Sequence, residues 1–182
     1  MSDLSAVANK WNPKTRECRA IIETPRGKRS KFRYDPELSM FELGGLLPEG
    51  MMFPFDFGFI PATIAPDGDP IDVLVLMDEP AHPGCVVDVR IIGAIEGEQT
   101  EKDGSRATND RLLGVAVHSY GHENATNLSD VDKTLLDQLE AFFVNYNKSR
   151  GKKYRVKGRC GPKSAGKLLE ASIAAYGKKR NK

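Results

Sequence analysis

The sequence contains few of the residues that build disulfide frameworks or zinc sites, and it has no long apolar runs. Its 182 residues include three cysteines, three histidines and one tryptophan. Cys18, Cys85 and Cys160 are odd in number and far apart, which argues against a disulfide framework and a CxxC metal site. No apolar run approaches the roughly 20 residues of a membrane span, and the N-terminus lacks the pattern of a signal peptide. We therefore expect a cytoplasmic protein with no membrane partner.

The charge is nearly balanced overall but unevenly distributed. Basic residues crowd the segment 148–167, whereas acidic residues concentrate between Asp67 and Asp110. A basic segment of this kind can contact nucleic acid, an anionic substrate or a neighbouring subunit, or it can simply be solvated. Nucleic-acid-binding barrels usually interleave exposed aromatics with cations, but here the aromatics of residues 53–59 lie beside the acids. Nucleic acid is therefore not the expected partner.

Hydrophobic patterning predicts a mainly β protein with two helices near its C-terminus. Apolar or alternating residues predict strands within 15–23, 31–34, 40–45, 73–77, 85–98 and 111–117, and helical periodicity predicts helices at 131–148 and 163–176. Strands at short spacing followed by helices imply a small antiparallel barrel or curled sheet with the two helices packed outside. We expect one domain over residues 1–182, with an irregular N-terminal arm at 1–14 and a disordered tail at 178–182.

The segment 53–77, FPFDFGFIPATIAPDGDPIDVLVLM, carries the strongest chemical signal. Asp67, Asp69 and Asp72 fall within six residues where a loop meets an apolar strand. Two unit charges about 5 Å apart repel by roughly 3 kcal/mol at an effective dielectric near 20, so a cation is expected there. Carboxylates suit Mg²⁺ or Mn²⁺, and a third acid can orient or deprotonate a water. The same composition fits an Asp-Gly-Asp-Pro turn without a ligand, and local chemistry leaves both readings open.

Cations elsewhere in the chain favour a phosphate-binding pocket. Lys31, Arg33 and Arg111 lie on predicted strands of a sheet that could aim them at a common cavity. Tyr146 lies late in the first helix, where its hydroxyl could reach a phosphoryl oxygen. The alternative is ordinary: exposed strand cations and a core tyrosine with its hydroxyl at the surface.

The run from Asp67 to Val73, DGDPIDV, resembles the signature of the soluble family I inorganic pyrophosphatases, D-[SGDN]-D-[PE]-[LIVMF]-D-[LIVMGAC], at every position. The similarity covers about residues 18–150, through IIETP, KFRYD, FPFDFGFIP, HPGCVVDVRIIGAIE, NDRLLGVAV and AFFVNYNK. It implies a barrel of the oligonucleotide/oligosaccharide-binding (OB) type with helices outside. It also implies Mg²⁺-dependent hydrolysis of inorganic diphosphate to two phosphates by a metal-activated water. The family further suggests a homo-oligomer, a trimer or a hexamer.

The resemblance also implies roles for individual residues. Asp69 would be the catalytic base, and Asp67 and Asp72 would bind metal. The family motif D-x-K reads Asn109-Asp110-Arg111 here, so Asn109 and Asp110 are further metal candidates. The expected substrate-binding residues are Lys31, Arg33, Arg111, Tyr146 and Lys148, with Glu23 as a pocket carboxylate.

The chain departs from the family pattern around this core. Arg33 stands where the family usually has a glutamate, Gly45 near an arginine position and Phe57 at a tyrosine position. Arg33 could replace the missing arginine if it and Gly45 both face the pocket. Gln99 is the nearest positional match to a further metal-binding aspartate, and Glu98, Glu101 and Asp103 are third-metal candidates by chemistry. These changes favour two ions on Asp67 and Asp72 over a larger set.

Two other functions fit the same residues. One is hydrolysis of a different phosphoanhydride, a nucleotide or a polyphosphate. The other is a degenerate, non-catalytic barrel that binds phosphate or nucleic acid through its basic C-terminal segment. Such binding would weaken steeply with salt and would be indifferent to Mg²⁺.

Overall fold

The structure is a computed structural model that describes residues 3–180. Over that range the chain forms nine β-strands and two α-helices, together with short 3₁₀ turns at Leu4–Ala6 and Leu128–Asp130. In chain order they are β1 Glu17–Thr24, β2 Ser30–Asp35, β3 Met40–Leu46, β4 Asp56–Phe59, β5 Asp72–Leu76, β6 Val86–Thr100, β7 Arg106–Thr108, β8 Arg111–Ala116, α1 Lys133–Ser149, β9 Lys153–Cys160 and α2 Pro162–Arg180. The predicted mainly β fold with C-terminal helices is confirmed.

Five strands close into a ring in the order β1, β4, β5, β8, β6 and back to β1. The long strand β6 makes closure possible, because its first half pairs with β1 while its second half pairs with β9 and β7. One detail of the prediction is wrong: β5 and β8 pair in parallel, so the ring is not wholly antiparallel. The intervening strand β6 is antiparallel to β8, so β8 runs in the same direction as β5.

The ring has its apolar side chains on both faces, and each face is covered by a different helix. Leu74 of β5 packs in one cluster with Leu139 and Phe143 of α1. Val73 packs in a second cluster with Leu169 of α2. Burying a side chain of this size stabilises the fold by about 1.5–3 kcal/mol. Because helices cover both faces of the ring, the sequence of β5 is a continuous apolar run. Packing on both sides also fixes the position at which β5 begins.

The helices begin where the sequence indicates, but the second ends later. The Asp132 side chain caps α1 by accepting the Leu135 N–H, and Pro162 begins α2. The sequence predicts that α2 ends before Gly177, yet Gly177 does not adopt the left-handed backbone that ends helices, and α2 continues to Arg180. Three basic residues in the last turn interact favourably with the helix dipole. Residues 178–180 of the predicted disordered tail thus continue α2 in this structure, and residues 181–182 lie outside the described range.

The N-terminal arm is largely irregular, as expected, but it packs on the ring. The Leu4 backbone N–H donates to the Tyr34 hydroxyl at 2.9 Å, and Leu4 and Val7 join a small apolar cluster with Ile21 and Phe59. The three cysteines are free. No helix within residues 3–180 has the length and apolar character needed to cross a bilayer.

Candidate active site

The three aspartates lie on a tightly bonded loop that enters β5. Gly68 takes a left-handed φ of +95°, which closes the turn, and the Ala65 N–H donates to the Asp69 carbonyl at 2.7 Å. The buried Thr63 hydroxyl accepts the Ile71 N–H at 3.0 Å and so fixes the entry to the strand. Asp72 is the first residue of β5. The loop backbone is thus held in place, whereas the side chains of Asp67 and Asp69 lie at the surface.

The carboxylates of Asp67 and Asp72 are short of positive charge. Desolvation is the main cause that raises the pKa of both groups above the usual aspartate range, and for Asp72 it raises the pKa to about 7. The charges of Arg111 and Lys31 oppose the shift at Asp72 without cancelling it. A cation bound beside these groups would favour their ionised forms.

Arg111 is held beside Asp72 by the parallel pairing of β5 with β8, in which the two residues are direct partners. Its Nε lies 3.7 Å from Asp72 Oδ2, and its guanidinium carbon lies 4.3 Å from the ring centroids of both Phe143 and Tyr154. The residue is 3% exposed, and its Nε has no hydrogen-bond partner among the described residues. Arg111 therefore acts as a buried cation with donor capacity left over at the site.

Lys31 and Glu23 form a second buried pair near the aspartates. Lys31 Nζ donates to Glu23 Oε2 at 2.8 Å, and Glu23 Oε1 accepts the Tyr34 N–H at 2.8 Å. The ammonium also lies 4.4 Å from the ring centroid of Phe57, so the residue that stands at the family's tyrosine position offers an aromatic face to the cation. The structure thus brings the predicted pocket carboxylate and the predicted phosphate-binding lysine together.

A neutral amide faces the acidic loop from the other side. Asn109 Nδ2 donates to Asp67 Oδ2 at 3.1 Å and to Gln99 Oε1 at 3.4 Å. Asn109 therefore acts as a hydrogen-bond donor to the predicted metal ligand in this arrangement. Asp110 is not brought to the same place, because its Oδ1 accepts the Gly97 N–H at 2.9 Å and so holds it to the backbone of β6.

The three carboxylates named as third-metal candidates have other partners. Glu98 pairs with Lys157 at 3.4 Å and with Arg106 at 4.0 Å, and Asp103 bonds to Ser105 within its own turn. Glu101 pairs with Lys152 at 2.7 Å, and hydrogen bonds from Lys152 and Gln99 hold the pKa of its carboxyl below the usual range. Gln99, which matches the position of the family's further metal-binding aspartate, is the residue whose side chain lies beside Asn109.

A cavity of about 310 Å³ opens at Lys31, whose charge also acts on Asp72. Its lining includes Lys31, Gly45, Lys102, Tyr146, Arg150 and Lys152. Tyr146 was predicted to reach this region, and its hydroxyl accepts a hydrogen bond from Arg150 Nη1 at 2.8 Å. The tyrosine is therefore well placed to meet an anion in the cavity.

The structure places other cations at the cavity than the one predicted from sequence, Lys148. Lys148 is exposed and is not part of the cavity lining, whereas Arg150 and Lys152 are. Arg150 follows Tyr146 by four residues at the end of α1. This spacing places two side chains on one helix face, so the sequence alone could have indicated Arg150. Lys102 and Lys152 reach the cavity only through the pairing of β6 with β9, which the sequence does not specify.

Arg33 lies at the edge of the site and does not line the cavity that Gly45 lines. Its guanidinium bonds to Glu42, its direct partner on β3, and the side chain is 66% exposed. Hydrogen bonding to Glu42 is the main cause that raises the pKa of Arg33, and the charge of Asp69 adds to the effect. If Arg33 replaced the family's arginine near Gly45, both positions would have to line one pocket. They do not.

The donor set fits a magnesium ion that remains open to substrate. Among residues 3–180, no group of three or more His, Cys, Asp or Glu side chains is arranged to hold a metal ion. Magnesium rarely uses such a cage, because it usually binds one or two carboxylates and completes its shell with water and substrate phosphate oxygens. Asp67 and Asp72, whose pKa values are both raised by desolvation, are the residues that fit this role.

Comparison with known proteins agrees with this geometry. The family model described as "Inorganic pyrophosphatase" matches residues 20–177. The inorganic pyrophosphatase of Thermus thermophilus is 36% identical over 159 residues, which covers 86% of this chain and 88% of the relative. The inorganic pyrophosphatase of Geobacillus stearothermophilus is 32% identical over 161 residues, covering 88% and 94%. The crystal structure of the Thermus thermophilus inorganic pyrophosphatase superposes with a TM-score of 0.87 at 32% identity, covering 97% of this chain and 99% of that one. The chain belongs to the inorganic pyrophosphatase family.

Proposed function

We propose that the protein hydrolyses inorganic diphosphate to two phosphates with Mg²⁺, or Mn²⁺ in its place. The observation that carries the proposal is the position of the intact aspartate triad. It lies on a hydrogen-bonded loop, and Lys31, whose charge acts on Asp72, also lines a cavity that contains Tyr146 and Arg150. Relatives named inorganic pyrophosphatase over most of their length support the choice of substrate.

Asp69 is the residue that takes a proton from the attacking water. Its backbone is fixed by hydrogen bonds to Ala65 and Asp67, while its carboxylate accepts no hydrogen bond from residues 3–180. A base with a free carboxylate on a fixed backbone can approach a water without first breaking a bond. Asp67 and Asp72 would hold the metal, which would supply positive charge that lowers the pKa of the water and neutralises phosphate oxygens.

The cations hold the substrate. Lys31 and Tyr146 face the cavity and bind phosphoryl oxygens of the leaving group. Arg111 acts from behind the site, where its buried charge keeps Asp72 in place and favours the ionised carboxylate. The substrate thus lies with one phosphoryl group beside the aspartates and the other beside Lys31.

We also propose a cytoplasmic homo-oligomer, a trimer or a hexamer. Large apolar side chains that lie exposed on or beside β3, at Leu38, Met40, Leu43 and Leu46, support an interface between copies. Light scattering after gel filtration measures the number of subunits. A monomer at micromolar concentration would contradict this part of the proposal.

The decisive experiment measures phosphate release from Mg-diphosphate by the wild type and by Asp69→Asn. Loss of the general base is expected to lower kcat by about 10²- to 10⁴-fold at an unchanged melting temperature. Asp130→Asn is the control, because Asp130 is a surface turn aspartate bonded to Thr126 and Asn127.

The alternatives give different results. A wild type that is inactive with both Mg²⁺ and Mn²⁺ would overturn the proposal in favour of a non-catalytic barrel. Nucleic-acid binding that falls steeply with salt and ignores Mg²⁺ would identify the basic segment as its contact surface.

A further inference from the structure

The segment 60–64 leads into the loop of the three aspartates, and its hydrogen bonds join the two ends of that loop. The Ile60 N–H donates to the Ile71 carbonyl at 3.0 Å. The Thr63 hydroxyl donates to the Ile60 carbonyl at 2.5 Å and accepts the Ile71 N–H at 3.0 Å. Because Ile71 directly precedes Asp72, a movement of the segment 60–64 would also move the start of β5, and Asp72 with it.

Within this segment, Ala62 adopts a backbone conformation that needs support from outside. Its φ of +52° lies in the left-handed region, which residues with a side chain rarely adopt and which persists where surrounding contacts hold it. The N-terminal arm supplies such contacts. The Ala62 N–H donates to the Ser5 carbonyl at 2.7 Å, and Asn9 Nδ2 donates to the carbonyls of Pro61 at 3.2 Å and Ala62 at 3.4 Å. The Asn9 side chain thus binds the carbonyls on both sides of the Ala62 α-carbon.

Asn9 is itself anchored to the ring and to α2. Its carbonyl accepts the N–H of Arg19 on β1 at 2.7 Å, and its Oδ1 accepts the Trp11 N–H at 3.0 Å. The Trp11 indole N–H donates to Glu170 of α2 at 3.1 Å. Because Oδ1 binds a backbone donor, the amide nitrogen is the end of the side chain that faces the two carbonyls. Asn9 therefore connects the segment 60–64 to two fixed elements of the fold.

We propose that Asn9 is a positioning residue for the reaction. It holds the segment 60–64 and thereby sets where the aspartate triad lies relative to the substrate. This inference rests on the proposed function, because the aspartates that Asn9 positions are those that act on diphosphate there. Within residues 3–180, the Asn9 side chain bonds only to backbone groups of Pro61, Ala62 and Trp11, so its effect on the site is indirect.

The location of Asn9 predicts which kinetic constant changes when its contact is lost. The rate of the chemical step depends on the placement of Asp69 and Asp72, and a misplacement of about 1 Å can cost up to roughly 10²-fold. Substrate binding depends on Lys31 and Tyr146, which are held by other residues of the site. Loss of the Asn9 contact should therefore lower kcat and leave KM for diphosphate nearly unchanged.

The test compares Asn9→Asp with Asn12→Asp as its matched control. The Oδ1 atom of each asparagine accepts the backbone N–H two residues later at 3.0 Å, and an aspartate keeps that acceptor. Among the described residues, only Asn9 also donates from Nδ2 to the segment 60–64. We expect Asn9→Asp to lower kcat about tenfold with KM changed less than threefold, and Asn12→Asp to change neither by more than twofold. Asn9→Ala should lose as much kcat as Asn9→Asp, which excludes the added charge as the cause.

Hydrogen exchange in EDTA gives a second readout that needs neither metal nor activity. The N–H groups of Ala62 and Ile71 are the donors of the bonds that close this region. In Asn9→Asp, peptides that cover residues 60–71 should exchange about tenfold faster, because the local opening becomes easier. Peptides from β6 should exchange at the wild-type rate, and all variants should melt within about 3 °C of the wild type.

The outcomes separate this inference from the function on which it rests. A wild type that does not hydrolyse diphosphate would overturn both. An active wild type together with an unchanged kcat in Asn9→Asp would overturn the positioning role and leave diphosphate hydrolysis standing. Equal losses in Asn9→Asp and Asn12→Asp, or faster exchange in β6 as well as in residues 60–71, would also overturn it, because the arm would then act only on general stability.

Discussion

The two walls of the site differ in how they treat charge. The wall built by the loop before β5 keeps three carboxylates, and desolvation raises the pKa of both Asp67 and Asp72. The facing wall offers neutral amides, since Asn109 donates to Asp67 and accepts nothing from it, and Gln99 stands behind. The acidic wall thus needs a cation, whereas the amide wall satisfies an oxygen of Asp67 by a hydrogen bond alone.

Under the proposed function, the acidic wall alone would therefore hold the metal ion. Carboxylates on the facing wall would add negative charge and allow further ions to bind between the walls. With Asn109 there instead, Arg111 and Lys31 are the cations of the protein whose charge acts on Asp72.

Removing Lys31 should produce the largest effect on stability. Glu23 is 9% exposed, and Lys31→Met would leave its carboxylate buried without a countercharge, which typically costs about 3–5 kcal/mol. We expect the free energy of unfolding in urea to fall by about 3 kcal/mol. The double variant Lys31→Met/Glu23→Gln should regain most of the stability but none of the activity on diphosphate. A single variant as stable as the wild type would show that Glu23 is hydrated or protonated.

The burial of Asp72 predicts a pH dependence in the metal-free protein. Its folded pKa of about 7 exceeds the unfolded value of 3.8, so the folded state holds a proton that the unfolded state has lost. The free energy of unfolding in EDTA should therefore fall as pH rises from about 4 to about 7 and then level off. Asp72→Asn should remove this component of the slope.

A control of opposite sign is available for that measurement. Backbone hydrogen bonds from Tyr120 and Gly121 lower the pKa of Asp78, so its contribution is present above pH 3.8 and is lost as pH falls further. Asp78→Asn should therefore leave the slope between pH 4 and 7 unchanged. A slope that persists in Asp72→Asn would assign the titration to another buried carboxyl, such as Asp56.

Replacing Asn109 by Asp would place carboxylates on both walls of the site. Without metal, Asp67 Oδ2 loses its donor at 3.1 Å and faces a second carboxylate, so Asn109→Asp should lower the melting temperature in EDTA. With the added ligand, Mg²⁺ affinity measured by calorimetry should rise about tenfold, or roughly 1.4 kcal/mol. Asn145→Asp, on the exposed part of α1, is the control and should change neither quantity. An unchanged Mg²⁺ affinity would show that the facing wall is too far away to share an ion.

The acidic wall was largely predictable from sequence, whereas its surroundings were not. Asp67, Asp69 and Asp72 lie within one local segment, where turn chemistry and an apolar strand fix their relative positions. The pairing of Asp72 with Arg111 depends on the parallel register of β5 and β8, which local patterns do not encode.

The helix ends show a second limit. The 3.6-residue period predicts that Arg150, rather than Lys148, shares a helix face with Tyr146, and Arg150 is the one that lines the cavity. The continuation of α2 through Gly177 was harder to predict. A glycine ends a helix in this way only when it adopts a left-handed backbone. The presence of a glycine in the sequence does not determine whether it does so.

The smallest expected effect belongs to Arg33, which lies outside both walls. Its guanidinium is exposed and paired with Glu42, and exposed pairs of this kind contribute roughly 0–1 kcal/mol because water and salt screen them. Arg33→Ala should therefore raise KM for diphosphate about two- to threefold through the lost charge near Asp69 and leave kcat unchanged. Lys28→Ala, an exposed cation on the preceding turn, should change neither, and the difference between the two variants should shrink as salt is added. A tenfold or greater rise in KM for Arg33→Ala would mean that Arg33 leaves Glu42 when substrate binds and replaces the arginine that the chain lacks near Gly45.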